Sequence, residues 1–310
     1  MDLSVVSPVY YGEFLVSELV KRIEQTCSIL GVQYEIILVE DGSPDKSWEA
    51  ITTAVNSSKH VVGVKLSRNF GQHAAIFCGL AQSKGKYTVV MDCDLQDRPE
   101  EIARLFAEIK IGHTDLILAR RMIRQHSLLK RLTSSFFYFV YSYLTGTKTD
   151  GTVGNFGIYN RKVIDAVLKL GDKRKAFPLM VNWVGFKTGK IDVSHGERYA
   201  GKSTYNWRKL INLALDIALS FSEKPMKLMM KMGLLIFSTT LILAAIMLWK
   251  FINGSIGVPG YTSIILSIWL FCGLIIFCLG LSGLYIARIF EGVKDRPAYI
   301  VDKHISINEN

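Results

Sequence analysis

The chain has 310 residues, of which 49% are hydrophobic and 21% charged, with a formal net charge of +10 at pH 7. That length allows one large α/β domain or two smaller ones, and the apolar share, concentrated near the C-terminal end, is high for a purely soluble protein. The five cysteines, Cys27, Cys78, Cys93, Cys272 and Cys278, have no paired C-x-x-C spacing, which argues against a zinc site or a disulfide framework and suits a reducing compartment.

In chain order, Leu3 to Val6 reads as a strand ended by Ser7-Pro8, and Tyr11-Gly12-Glu13 leads into a helical period of Phe14, Leu15, Leu19, Val20 and Ile23. The first residues carry neither a basic n-region nor a cleavage site, so the chain up to about residue 220 is expected on the cytoplasmic side. Tyr34 to Val39 is a second strand, followed by the polar turn Glu40-Asp41-Gly42-Ser43-Pro44-Asp45 and a helix around Trp48 to Val55. An acid at such a strand end can hydrogen-bond a ribose or a base edge, and Asp41 is chosen over Glu40; a plain helix-capping turn is the alternative. Val61 to Leu66 is a third strand, and Ser67-Arg68-Asn69-Phe70-Gly71-Gln72 leads into a helix of small residues, His73 to Ala81. Tyr87 to Val90 is a fourth strand, Glu100 to Ile109 a helix with Pro99 at its start, and Thr114 to Leu118 a fifth strand. Strands alternating with helices predict an α/β fold with a mostly parallel sheet covered on both faces.

The stretch Met91-Asp92-Cys93-Asp94-Leu95-Gln96-Asp97 leaves the fourth strand at its carboxyl end, where open α/β sheets bind ligands. Two carboxylates one residue apart can share a divalent ion and leave its other positions to water and diphosphate oxygens, as Mg²⁺ prefers. The spacing therefore points to a nucleotide diphosphate; a solvated turn is the bland alternative, because Asp-x-Asp alone is common.

From Arg120 to Arg131 the chain carries Arg120, Arg121, Arg124, Lys130 and Arg131 with no acid, and the aromatic-rich stretch Leu132 to Leu144 follows. That pairing suits an acceptor with phosphate at one end and hydrocarbon at the other, though a charge run is also an ordinary solvated face. Gly151 to Tyr159 lacks a G-x-G-x-x-G order and is expected to be a loop lining the site. Phe186 to Val193 reads as a strand, Glu197 to Ser203 as a flexible basic loop, and Trp207 to Phe221 as an interfacial helix, with an ordinary packed helix as the alternative. No charge occurs from Met232 to Trp249 or from Phe251 to Ala287, which predicts two transmembrane helices at about 228–250 and 262–287. Lys224, Lys227 and Lys231 precede them and Arg288, Lys294 and Arg296 follow, so both chain ends are expected to be cytoplasmic. Cys272 and Cys278 inside the second span are read as packing residues. The expected division is a catalytic domain over 1–205, a juxtamembrane helix over 206–224, the spans within 225–290, and a cytoplasmic tail over 291–310.

Taken together, Ser7-Pro8-Val9-Tyr10, Val39-Glu40-Asp41-Gly42-Ser43, Leu66-Ser67-Arg68-Asn69-Phe70-Gly71, Asp92-Cys93-Asp94-Leu95-Gln96-Asp97, and Arg198 with Gly201-Lys202-Ser203 resemble the polyprenyl-phosphate glycosyltransferases over nearly the whole chain. The resemblance implies a GT-A nucleotide-diphospho-sugar fold and an inverting enzyme of the bacterial inner membrane. It would move a sugar from a nucleotide-diphospho-sugar, UDP favoured over GDP, to undecaprenyl phosphate for envelope glycans such as lipopolysaccharide. It places Asp92, Asp94 and Gln96 at Mg²⁺ or Mn²⁺ and the donor diphosphate, and Pro8, Tyr10, Glu13, Asp41, Ser67, Arg68, Arg198 and Lys202 around the donor. Arg120, Arg131 and Ser135 would take the acceptor phosphate, and Asn155 would lie among the catalytic residues. Nucleic acid is not an expected partner; a homo-oligomer is a possible assembly. One departure stands out: relatives carry Gly-Asp-Phe-Arg-Leu where this chain has Gly154-Asn155-Phe156-Gly157-Ile158. A processive polysaccharide synthase and a non-catalytic nucleotide- or lipid-binding membrane partner are the competing readings. A chain truncated near Ser222 is expected still to bind nucleotide-sugar with metal but to transfer poorly to full-length lipid, with part of that activity restored by a short-chain prenyl phosphate.

Overall fold

The computed structural model describes residues 1–121, 153–170, 176–194, 260–294 and 296–307, with scattered positions between 231 and 253. The chain divides into two compact units, one of Met1–Ser135, Thr149–Thr204 and Arg296–Asn310, the other of Phe136–Lys148 and Tyr205–Asp295. The first contains β1 (Leu3–Val9), α1 (Val16–Leu30), β2 (Tyr34–Glu40), α2 (Ser47–Ser57), β3 (Val61–Leu66), α3 (Gln72–Gln82) and β4 (Tyr87–Val90). A single 3₁₀ turn at Pro99–Glu101 then opens α4 (Ile102–Lys110), followed by β5 (Leu116–Arg121), β6 (Val153–Asn160), α5 (Arg161–Leu168), α6 (Phe177–Trp183), β7 (Thr188–Val193) and finally β8 (Val301–Ser306).

These strands form one sheet in the order β7-β5-β6-β4-β1-β2-β3-β8. Every residue of β1, β2 and β4 is buried, because helices cover both faces and leave no polar side for alternation to reach. The two faces are still sorted by strand periodicity. Leu3, Val5, Ile36 and Leu38 meet α1, α2 and α4 through Leu19, Ile23, Ile51, Leu105 and Phe106. Val6, Ile37 and Val39 turn the other way, onto Ile76, Phe77 and Leu80 of α3 and Phe177 and Met180 of α6.

Six of the eight described strands run the same way, as expected of a mostly parallel sheet, but the sheet is mixed: β6 runs antiparallel between β4 and β5, and β8 runs antiparallel to β3 at the edge. Gly151 to Tyr159 is therefore not a site loop from end to end, since Val153–Asn160 is an interior strand. Its Phe156 and Ile158 enter one core and Tyr159 the other, a period of two that the glycines disguise. Gly157 belongs there for a steric reason, because a Cβ would stand 2.7 Å from the carbonyl oxygen of Ile117 on β5. A long side chain such as arginine has no room on that strand as packed here. The stretch read as a tail, 291–310, supplies β8, whose Ile305 lies over Gly63 at the position a Cβ would need. Helices α5 and α6 were not expected either; each is a short element, and neither shows a long apolar period.

In the second unit, α7 (Tyr261–Val293) is a helix of 33 residues that contains the expected second span 262–287. Among the described residues no helix is long and apolar enough to cross a membrane. Residues 206–224, where the interfacial helix was expected, lie outside the described residues.

Candidate active site

The chain runs from β1 outward to β2 and β3 and then returns to β4 on the other side of β1, so the crevice beyond the carboxyl ends of β1 and β4 is the topological switch point of the sheet. Asp92 and Asp94 emerge there from β4, facing the loops after β1, β2 and β3. Because β6 is antiparallel to β4, its first residues, including Asn155, come to the same edge.

Asp92 accepts a hydrogen bond from the Gln72 amide at 2.7 Å, and the Asn155 amide approaches the same Oδ1 at 3.5 Å, the outer limit of hydrogen-bonding distance. Asp94 accepts the backbone N–H of Gln96 at 3.1 Å on Oδ1. Leu95 between them is buried and held at φ 60°, a left-handed conformation that costs a side-chain-bearing residue about 1–2 kcal/mol. Strain of this kind persists where surrounding contacts over-determine it, and it clusters at functional sites. Cys93 points into the core, where burial pushes its thiol up to about 12, so it offers no thiolate to the site.

The loops after β1 and β2 are joined by side-chain clasps. Tyr11, itself at φ 55°, donates its N–H to the Ser43 hydroxyl at 2.9 Å, Gly12 donates to Ser47 at 2.8 Å, and Glu13 to the Asp45 carboxylate at 3.2 Å. Burial alone would raise the Asp45 pKa, but hydrogen bonds from the Ser43 and Ser47 hydroxyls outweigh it and hold the carboxyl below its usual range. Tyr10 is exposed and meets Tyr11 edge to face at 4.8 Å, an aromatic pair at the mouth of the crevice.

Asp41 follows β2 directly and reaches across to the next loop of the sheet. Its carboxylate is buried and accepts the backbone N–H groups of Phe70 at 2.7 Å and Gly71 at 2.9 Å, so both oxygens clasp the loop after β3. Burial raises its pKa, with those two bonds and Arg68 pulling the other way. Glu40 is also buried with a raised pKa, mainly from desolvation. Arg68 lays its guanidinium 4.2 Å from the Phe70 ring centroid, and Ser67 donates its N–H to Ile300 of the C-terminal stretch at 2.9 Å. Gly42 makes this closure possible: at φ 62°, its missing Cβ would stand 2.3 Å from the Asn69 nitrogen. Gly42→Ala is accordingly expected to lower nucleotide affinity at least tenfold and the melting midpoint by several degrees. Calorimetry that finds unchanged affinity would show that the two loops separate without cost to the site.

Arg120, the penultimate residue of β5, lies on this same edge, two strands from β4 and so about 10 Å away. It grips Asp192 at the end of β7 through Nε at 2.5 Å and Nη2 at 2.9 Å, a pair that holds Asp192 below the usual carboxylate range. Arg120, the first cation of a run free of acids in sequence, thus meets an acid in space. Arg131, Ser135, Arg198 and Lys202 lie outside the described residues. Sequence reasoning missed Gln72 and Asp192. The first had a faint signal, a polar residue opening a helix just after the loop that follows β3; the second had none, because its partner lies 72 residues away.

Among the described residues no group of three or more His, Cys, Asp or Glu side chains is placed to hold a metal. The two carboxylates of Asp92 and Asp94 nevertheless fit Mg²⁺ or Mn²⁺, hard ions usually bound by one or two carboxylates with water and substrate phosphate filling the rest.

Residues 4–168 match glycosyl transferase family 2. An undecaprenyl-phosphate 4-deoxy-4-formamido-L-arabinose transferase of Proteus mirabilis is 34% identical, with 99% of this chain and 95% of that protein aligned. An uncharacterized glycosyltransferase of Bacillus subtilis is 33% identical over the same shares of both chains. A crystal structure of a mycobacterial protein superposes with a TM-score of 0.50 at 16% identity, covering 71% of this chain and 73% of that one, a likeness of fold alone. Family match, near-complete alignment and a carboxylate pair at the switch point agree: this chain belongs to glycosyl transferase family 2, within its polyprenyl-phosphate glycosyltransferases.

Proposed function

We propose that this glycosyltransferase moves a sugar from a nucleotide-diphospho-sugar, with UDP the favoured carrier, onto the phosphate of undecaprenyl phosphate at the cytoplasmic face of a bacterial inner membrane. The observation that carries the reading is the placement of Asp92 and Asp94 at the switch point, with the Gln72 and Asn155 amides converging on Asp92. Asp92, Asp94 and Gln96 would hold Mg²⁺ or Mn²⁺, which would offset charge on the departing diphosphate.

A phosphate oxygen of the acceptor attacks the anomeric carbon, the bond from that carbon to the diphosphate breaks on the opposite side, and the nucleoside diphosphate leaves with the bonding electrons. Configuration inverts. A phosphate monoester has a second pKa near ~6 and is largely dianionic at neutral pH, so the nucleophile needs little proton removal. That accounts for an amide, Asn155, at a position where the family resemblance implies a carboxylate. Pro8, Tyr10 and Glu13 line the donor from the β1 side, while Ser67 and Arg68 close it from the β3 side. Asp41 shapes that wall by clasping Phe70 and Gly71. Arg198 and Lys202 supply charge to the donor diphosphate; Arg120, Arg131 and Ser135 receive the acceptor phosphate.

Two features support a membrane-anchored enzyme with both ends on one side. The uncharged stretches Met232 to Trp249 and Phe251 to Ala287 have the length of spans. Strand β8 then pairs with β3 in the same sheet as β1, so the intervening chain starts and finishes on one side of any membrane it crosses.

The test is a donor screen with the full chain in membranes, scoring radiolabelled sugar carried into the organic phase on undecaprenyl phosphate; the sugar in the relatives' names is the first to try. Label retained in water for every donor would overturn the proposal. Within the same assay Arg131→Ala is expected to raise the KM for lipid phosphate tenfold or more, since a charge-assisted bond to phosphate contributes roughly 1.5–3 kcal/mol. Donor affinity should hardly change, and an equal loss on both sides would remove Arg131 from the acceptor site.

A further inference from the structure

We infer that Gln72 is a positioning residue for Asp92, fixing its carboxylate by an amide hydrogen bond so that metal and diphosphate meet a preset ligand. This rests on the reading of Asp92 and Asp94 as the metal and diphosphate site. The Gln72 side chain is exposed, and its 2.7 Å bond to Asp92 bridges the start of α3 and the stretch after β4. Asn155 of β6 adds a second, longer amide contact to the same oxygen.

Gln72 can act this way because its own backbone is fixed. It is the first residue of α3, whose Ala75, Ile76 and Phe77 are buried in the core under the sheet. The residue before it, Gly71, is held through its N–H by Asp41 at 2.9 Å. Asp41, just after β2, therefore sets the helix start, and the helix start sets Asp92, just after β4. Asp41 reaches the chemistry through this chain.

An amide suits the task chemically. It is neutral, so it orients the carboxylate without cancelling the charge a cation requires. It also places its donor on one oxygen, Oδ1, which favours single-oxygen coordination by Asp92 over chelation. Preorganised ligands avoid the loss of side-chain freedom on binding, and that saving appears as affinity.

The experiment measures UDP binding to the detergent-solubilised full chain by calorimetry, with Mn²⁺ and with EDTA. In Gln72→Met, which keeps the length and removes the donor, Kd with Mn²⁺ is expected to rise about tenfold. Kd in EDTA should stay within twofold and the melting midpoint should not move; Gln72→Ala should repeat the pattern. Equal weakening in Mn²⁺ and EDTA would mean that Gln72 only shapes the pocket, and unchanged binding in both would mean it does nothing there; either overturns the inference. If Mn²⁺ fails to tighten UDP binding to the unaltered protein, the metal reading itself falls and takes this inference with it.

Discussion

Asp94→Ala is expected to reduce sugar transfer by roughly 10²–10³-fold or more, the loss found when a group stabilising transition-state charge is removed. Asp94 has two duties in the structure: its charge at the mouth of β4, and the bond from Gln96 N–H at 3.1 Å that helps keep Leu95 at φ 60°. Alanine removes both. Asp94→Asn separates them, since its amide oxygen still accepts from Gln96 while the charge is gone. Both variants should lose the metal-dependent part of nucleotide binding, and only Asp94→Ala should also show a lowered melting midpoint. If Asp94→Asn turns over sugar at near-normal rate, or chelator leaves the native enzyme active, no metal is held by this pair.

Removal of the C-terminal stretch is the second large effect, and it reverses an expectation drawn from sequence. A chain ending near Ser222 would lack β8, which pairs with β3 from Val62 opposite Ser306 to Leu66 opposite Val301. It would also lose the Ile305 contact over Gly63, the packing of Tyr299 on the second core, and the Ile300 carbonyl that receives Ser67 N–H. Ser67 opens the loop that Asp41 clasps, so the damage reaches the wall proposed above for the donor. Deleting 296–310 from the full chain exposes roughly two apolar side chains' worth of surface, about 3 kcal/mol, or about 6–12 °C in melting midpoint for a unit of this size. Nucleotide affinity should fall together with stability. Ile305→Asp, which puts a charge over Gly63, is expected to reproduce part of the loss without shortening the chain. Unchanged melting and unchanged nucleotide affinity in the deletion would show β8 to be dispensable, and the truncated catalytic unit would then bind donor as the sequence alone suggests.

Much of this protein is written locally. Strands β1 to β4 and helices α1 to α4 follow from runs of period two and 3.6 bounded by Pro, Gly and polar turns, because each such element buries a face its own residues define. The Asp92 and Asp94 pair at the end of a buried strand was legible for the same reason, and with the flanking Ser67 to Gly71 and Glu40 to Ser43 motifs it identified the family. Tertiary structure decided the rest, wherever a residue's partner is fixed by strand order rather than by neighbours in the chain. Val153–Asn160 reads as a glycine loop until β4 and β5 flank it, and Gly157 is explained only by the Ile117 carbonyl against it. Val301–Ser306 has no meaning as a strand without the open edge of β3. The amides of Phe70 and Gly71 on the oxygens of Asp41 are likewise supplied only by the neighbouring loop, and Arg120 looks unpaired until β7 brings Asp192 beside it. Hydrophobic period reports which face of an element is buried; it carries no record of which distant element arrives to cover it.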